Sequence, residues 1–259
     1  MPMSGREAKS VKSVGKALHL LDIMAQARKP LSLGELSVRS GWPKSTVYGL
    51  LTALREGDAV EQRPENGHYY LGLRMFEYGC AVSDAWDILA AARVPMTRAA
   101  QISGESVFLS TLDRGEALIL DRADAAGALR VISEIGARLP AHCTSQGKLL
   151  LAYTSAGERR HLLRETPLQA FTPHTIIDPD VLDRERDEIL QQGFAVENGE
   201  YRVGLRSVSA PVRDAQHCVR WAVTISGMLR KQGSDEFTSA TRLVIEAAAE
   251  ISRALGWRE

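Results

Sequence analysis

Between Ser13 and Leu71 the chain carries three helix-like segments followed at once by a hairpin signal, and this order admits few folds. Asn66-Gly67 stands between two short runs of strand character, Ala59-Val-Glu-Gln-Arg63 and His68-Tyr-Tyr-Leu71. Asn-Gly in that setting predicts a tight hairpin, because both central residues of a type I′ turn need positive φ. Upstream, residues 13–26 place Val14, Leu18 and Leu21 at helical spacing, with Ala17 and Met24 beside them. Lys29-Pro30 ends that segment. Ser32-Leu-Gly-Glu35 has the hydroxyl and carboxylate of a capping box and opens a short helix over residues 33–39, which stops at Ser40-Gly41. Pro43 suits the first turn of a third helix reaching about residue 55, with Val47, Leu50, Leu51 and Leu54 inward. Helix, short helix, tight turn, helix and hairpin is the order of a winged helix-turn-helix.

The rest of the chain reads differently. Residues 73–103 are mainly helical, with Leu73, Phe76, Cys80, Leu89, Val94, Met96 and Ile102 as expected buried positions and Pro95 expected to split the stretch in two. The first of these helices is expected to link two domains. From Gly104 onward strands dominate: residues 105–112 and 117–121 about the turn Asp113-Arg-Gly115, a third strand over 129–133, and three more over 194–197, 206–213 and 219–226. Between them lie an apolar helix over 148–153, capped by Thr144 or Ser145, and a helix opened by Asp178-Pro179 and ended by Gly193. Ser234 caps a long last helix ending near Leu255-Gly256. Strands in clusters with helices between them indicate α+β with a largely antiparallel sheet. The expected organisation is a winged unit over 10–73, a linker helix over 74–90 and a second domain over 91–259.

Charge separates along the same line. Residues 1–75 hold 11 Lys/Arg against 7 Asp/Glu, and the remainder 21 against 25, although the whole chain is neutral. A basic reader joined to a larger acidic unit suits nucleic-acid binding. The chain is 44% apolar and 25% charged, which excludes disordered, collagen-like and coiled-coil classes. No run of 18 apolar residues predicts a membrane span, and no apolar core follows the basic N-terminus as in a secretory signal. Three scattered cysteines argue against a disulfide framework, so the expected compartment is the cytoplasm.

The third helix begins Trp42-Pro-Lys-Ser-Thr-Val-Tyr48. Its exposed first turn carries Lys44, Ser45, Thr46 and Tyr48, hydroxyls and an ammonium that suit phosphates and base edges at a helix N-terminus. Arg63 and His68 flank the hairpin tip, where a wing reaches a phosphate or the minor groove.

These segments, Lys12-Ser-Val-Gly-Lys-Ala-Leu-His-Leu-Leu21, Leu33-Gly-Glu-Leu-Ser37 and Gly41-Trp-Pro-Lys-Ser-Thr-Val-Tyr48, resemble the N-terminal domain of the IclR family of bacterial transcriptional regulators. Tyr69-Tyr-Leu-Gly-Leu73 is similar to the family's end-of-wing segment. Gly136-Ala-Arg-Leu-Pro-Ala-His-Cys-Thr-Ser-Gln-Gly-Lys-Leu-Leu-Leu-Ala152, Phe194-Ala-Val-Glu197, Val203-Gly-Leu-Arg-Ser-Val-Ser-Ala-Pro-Val212 and Ala222-Val-Thr-Ile-Ser-Gly227 resemble its later motifs. The resemblance spans roughly residues 10–257. It implies a winged-helix domain, a linker helix and a C-terminal effector-binding domain of GAF-like fold. It also implies a homodimer, often a tetramer, and a dimer with two equivalent reading heads is expected on palindromic or pseudo-palindromic double-stranded DNA. Repression of small-molecule catabolic operons is the more frequent mode. Three positions depart from the pattern: Gly49 stands where arginine is common, Gln146 where a small residue is usual, and Ser207 where cysteine is common.

By the same resemblance the effector pocket is lined by Leu129, Ser145, Gln146, Glu197, Leu205, Ser207, Thr224 and Ser226. A few hydroxyls and an amide on an apolar sheet face suit a small, partly polar ligand. The absence of clustered arginines favours a carboxylic acid or aromatic catabolite over a phosphate. Other classes are weaker. His142-Cys143 and His217-Cys218 offer two potential metal-ligand pairs, but adjacent residues on a strand point to opposite faces, so no metal or cofactor is expected. No Gly-x-Ser-x-Gly elbow and no Gly-rich phosphate loop occurs. A GAF-like sensor or enzyme carrying a helix-turn-helix interaction module remains the alternative to a DNA-binding regulator.

Overall fold

The computed structural model describes residues 12–84, 87–125, 134–229 and 232–258. The chain divides into two compact units, Met1–Ala85 and Trp86–Glu259.

In the first unit, α1 (Lys12–Ala27), α2 (Leu33–Ser40) and α3 (Lys44–Glu56) precede an antiparallel pair, β1 (Val60–Gln62) and β2 (Tyr69–Leu71). Leu20, Leu31, Leu36, Val47 and Leu51 are fully buried and form the centre of its core. The capping box forms as expected: the Ser32 and Glu35 amides donate to Glu35 Oε2 (2.8 Å) and Ser32 Oγ (3.2 Å). Leu31 adds a bridge to Tyr69, each amide donating to the other's carbonyl at 2.9 and 2.8 Å. Two local readings change. The hairpin is not a two-residue type I′ turn, since only Gly67 (φ 68°) is left-handed there and Asn66 is not. Arg63 N–H donates to His68 O and Gly67 N–H to Arg63 O, both at 2.8 Å, enclosing Pro64-Glu65-Asn66-Gly67. Proline, with φ preset near −65°, suits the start of a longer right-handed turn that Gly67 then closes. On α1 the buried residues are Leu20, Ile23 and Met24, whereas Val14 and Leu18 are more than half exposed.

A similar correction applies after the wing. Helix α4 (Leu73–Asp84) and helix α5 (Asp87–Ser103) replace two helices broken at Pro95. Pro95 lies inside α5 and is buried. The lost backbone hydrogen bond, a cost of about 3 kcal/mol, is offset by packing of Ile88, Ala92, Met96, Ala99 and Ala100 in the core. Of the residues expected inside, Met96 is buried, but Leu73, Phe76, Val94 and Ile102 are exposed.

The second unit contains a six-stranded sheet in the order β5-β4-β3-β8-β7-β6, antiparallel throughout. Its strands are β3 (Ser106–Asp113), β4 (Glu116–Ala123), β5 (Arg138–Pro140), β6 (Ala195–Asn198), β7 (Arg206–Arg213) and β8 (Val219–Gly227). The strand expected over 129–133 lies outside the described residues. Strand alternation gives the sheet two unlike faces. Val107, Leu109, Val208, Ala210, Val223 and Ile225 share a core with α5 and with α9 (Asp235–Ala254). Each such side chain contributes about 1.5–3 kcal/mol on burial. The opposite face presents Phe108, Ser207, Ser209, Thr224 and Ser226, all buried. Helix α6 (Ser145–Tyr153) packs on that face. It is preceded by a 3-10 turn at Ala141–Cys143, not by strand as expected for His142-Cys143. Gly147 is obligatory here, because a Cβ would overlap the Ala141 backbone. Helices α7 (Ala156–Glu165), absent from the sequence reading, and α8 (Pro179–Gln192) complete the unit, together with the 199–205 loop between β6 and β7.

Candidate DNA-reading face and effector cavity

The turn from α2 to α3 is set by backbone chemistry. Gly41 is left-handed (φ 71°) and its N–H donates to Val38 O, while Ser37 Oγ donates to Trp42 O at 2.7 Å. Trp42 is clamped by the Lys16 ammonium, 5.2 Å from its ring centroid, and by the tilted His19 ring at 5.4 Å. Pro43 is the N-cap of α3, so Lys44 begins the helix. Lys44, Ser45 and Tyr48 are exposed and Thr46 is half-buried. Gly49 faces open space, with nothing within 4 Å of where a Cβ would stand. On the wing, Arg63 is exposed and stacks over the Tyr70 ring at 5.5 Å. His68 is half-buried: Nδ1 lies 3.1 Å from Asn66 O, and Nε2 lies 3.9 Å from Glu35 Oε2. The Ser32 hydrogen bonds hold the Glu35 carboxyl below its ordinary value. Exposed cation, hydroxyls and phenol at the N-terminus of α3 form a surface of the kind that meets phosphates and base edges.

In the second unit, the hydroxyl face of the sheet, the N-terminus of α6 and the 199–205 loop enclose a small cavity of about 20 Å³, room for about one or two water molecules. Gln146, Glu197, Leu205, Ser207 and Ser226, all expected, line it. Ser145 and Thr224 do not reach it. They are fully buried one layer behind, where strand alternation and the cap of α6 direct them into a chain of hydroxyls. Ser145 Oγ lies 2.7 Å from both Ser207 Oγ and Ser209 Oγ, and Ser209 Oγ lies 2.7 Å from Thr224 Oγ1. Ser207 Oγ donates to Glu197 Oε2 at 3.1 Å. With Glu197 ionised, each single-proton hydroxyl passes its hydrogen bond one way, from Thr224 to Ser209 to Ser145 to Ser207 to the carboxylate. Ser145 Oγ also lies 3.3 Å from Gln146 Oε1. Leu129 lies outside the described residues.

Glu197 is 1% exposed. Its Oε1 accepts the amides of Glu200 (2.9 Å) and Tyr201 (3.3 Å). Burial pushes its carboxyl up to about 7, against the pull of the Tyr201 and Ser207 hydrogen bonds. Five further lining residues were missed: Phe108, Leu139, Thr144, Tyr201 and Arg202. Phe108 was legible as a member of an alternating strand, but nothing local joins it to a loop nearly a hundred residues later. His142, buried, places Nε2 3.0 Å from Gln169 O, while His217 is a left-handed turn residue (φ 62°). Among the described residues no group of three or more His, Cys, Asp or Glu could hold a metal. No helix there is long and apolar enough to cross a membrane.

The sequence models of two families decide which proteins these units belong with. The bacterial transcriptional regulator IclR C-terminal domain matches residues 80–253, and the IclR helix-turn-helix domain matches residues 13–64. The chain belongs to the IclR family. It is a DNA-binding transcriptional regulator, not an enzyme. Among IclR-family relatives, the HTH-type transcriptional repressor AllR of Klebsiella pneumoniae is 32% identical over 248 residues, 96% of this chain and 91% of that one. The structure of the Thermotoga maritima IclR has a TM-score of 0.75 at 28% identity, covering 95% of this chain and 99% of that one. An IclR homologue from Microbacterium hydrocarbonoxydans, solved as a complex with 4-hydroxybenzoate, has a TM-score of 0.83 at 24% identity, covering 94% and 98%. That likeness is one of fold.

Proposed function

We propose that this protein is a ligand-responsive repressor of a small-molecule catabolic operon, acting in the bacterial cytoplasm, whose effector is a small organic acid or aromatic catabolite. The observation that carries the reading is the cavity itself. It joins an apolar wall, Phe108 and Leu139, to an amide, three hydroxyls and a carboxyl, in the same chain as an exposed reading helix. Lys44, Ser45, Thr46 and Tyr48 contact DNA from α3, and Arg63 and His68 from the wing. The fold's capacity for an aromatic acid in the Microbacterium protein supports the effector class. Val14 and Leu18 on α1 and Leu73, Phe76 and Val82 on α4, each at least half exposed, support a homodimer, with a tetramer as its further assembly. Such a dimer reads a palindromic or pseudo-palindromic operator. Effector binding lowers DNA affinity through differential affinity for two arrangements of the reading heads, communicated through residues 74–90.

A mobility-shift titration on the DNA upstream of the chain's own gene, with and without candidate catabolic acids, tests this. The expected result is a specific shift, reversed by at least one acid, with a footprint of two symmetric half-sites. A single asymmetric half-site bound by a monomer, or a complex indifferent to every acid, overturns it.

A further inference from the structure

The polar balance of the cavity is uneven. Glu197 supplies a carboxyl from its wall, and Gln146, Thr144, Ser207 and Ser226 supply neutral groups. Arg202 is the one cation among the described lining residues. The nearby Lys148 is not available to a ligand, since its ammonium is held at 2.6 Å by both Glu185 and Glu200.

Arg202 is carried on a stiff mount. Leu205 N–H donates to Arg202 O at 3.0 Å across a turn that places Gly204 left-handed (φ 83°). Gly199, also left-handed, closes the loop by donating to Leu205 O at 2.9 Å. From outside, Thr172 Oγ1 donates to Gly199 O at 2.7 Å, and Thr175 Oγ1 to Glu200 O at 2.6 Å. The guanidinium lies over the Tyr201 ring, 5.4 Å from its centroid, and the other edge of that ring is steadied by Phe171 at 5.2 Å. No described carboxylate pairs with Arg202. An exposed guanidinium stacked on a cavity-lining ring keeps its planar fork free, and that fork matches a carboxylate bidentately.

We propose that Arg202 is the specificity-determining residue of the effector cavity and that it selects a small monocarboxylate. The acid group sits at the rim against the Arg202 fork, beside the Tyr201 ring, and the small cavity behind it admits only a compact apolar body toward Phe108 and Leu139. With Glu197 neutral, the one guanidinium balances a single negative charge. A dianion would meet Glu197 without a second cation. The inference rests on the cavity being the effector site, as proposed above.

The test is calorimetry on the full chain with benzoate, 4-hydroxybenzoate and pyruvate, each beside its neutral amide. Wild type, Arg202→Gln, Arg202→Lys and Ser207→Ala are compared. Arg202 lies on a surface turn, so its variants fold. At least one acid is expected to bind better than its amide. Arg202→Gln weakens that acid by about 10–100-fold, the worth of a charge-assisted bidentate contact, and moves the amide less than about threefold. Arg202→Lys retains part of the preference, because an ammonium keeps the charge but not the fork. If Arg202→Gln leaves acid affinity unchanged while Ser207→Ala weakens it, the cavity stands and the role of Arg202 falls. If a ligand binds and neither variant changes it, the cavity is not the site and both readings fall. If no acid binds better than its amide, the monocarboxylate assignment is wrong.

Discussion

Replacing Lys148 by methionine removes the charge that ties α6 to α8 and to the 199–205 loop. Lys148 is 2% exposed in its side chain, and its Nζ lies 2.6 Å from Glu185 Oε1 on α8 and 2.6 Å from Glu200 Oε1 in the 199–205 loop. Glu200 Oε1 also accepts the Asn198 amide at 3.4 Å, and the Glu200 amide donates to Glu197, so the network ends in the cavity wall. Methionine keeps the stem's volume and removes only the ammonium. Two carboxyls then remain buried without a counter-charge. Breaking a buried pair costs about 3–5 kcal/mol, a large part of the roughly 5–15 kcal/mol that holds a domain folded. For a unit of this size that corresponds to about 6–20 °C in Tm. The loss depends on pH with a definite sign. Burial already raises the Glu185 carboxyl above its ordinary value, even with Lys148 pulling it down. Without Lys148 its folded pKa rises further above the unfolded one. The folded state then binds the extra proton, so stability is retained at low pH and lost as pH rises through the folded pKa. Urea unfolding of wild type and Lys148→Met at pH 5.5 and 8 measures this. The expected deficit is several kcal/mol at pH 8 and smaller at pH 5.5, and Glu200→Gln added to the variant recovers part of it. A deficit under about 1 kcal/mol at pH 8, or one that does not change with pH, refutes the argument.

Three further outcomes follow from other parts of the molecule. Lys44→Ala is expected to weaken binding to every DNA sequence and to lower the slope of log K against log salt by about one, while Tyr48→Ala changes which bases are tolerated; fluorescence anisotropy across a salt series separates the two. For a carboxylate ligand, affinity should fall as pH rises through about 7, because a deprotonated Glu197 repels the anion; calorimetry at pH 6 and 8 should show this, with a flatter profile in Glu197→Gln. Gly147→Ala forces a methyl into the Ala141 backbone and is expected to cost about 1–3 kcal/mol in chemical denaturation, the usual range for overpacking.

Local chemistry was legible directly from the residues. Ser32 with Glu35, Gly41, Pro43 and Gly67 each impose a backbone state on their own neighbours, so the winged helix-turn-helix could be read in order. The two-residue period of Ser207-Val-Ser-Ala and Ala222-Val-Thr-Ile-Ser226 likewise declared one hydroxyl face and one apolar face. Tertiary structure decided what those faces meet. A helical repeat cannot distinguish an apolar stripe buried in its own core from one left exposed, and Val14, Leu18 and Phe76 therefore lie outside although their spacing suggested burial. Pro95 sits inside a helix because packing on α5 outweighs the hydrogen bond that proline removes. Ser145 and Thr224 left the cavity for the hydroxyl chain behind it, while Phe108, Leu139, Tyr201 and Arg202 entered from three separated segments. A cavity is assembled from long-range contacts, and its membership is set by how the sheet, α6 and the 199–205 loop close on one another, which no periodicity within a single segment encodes.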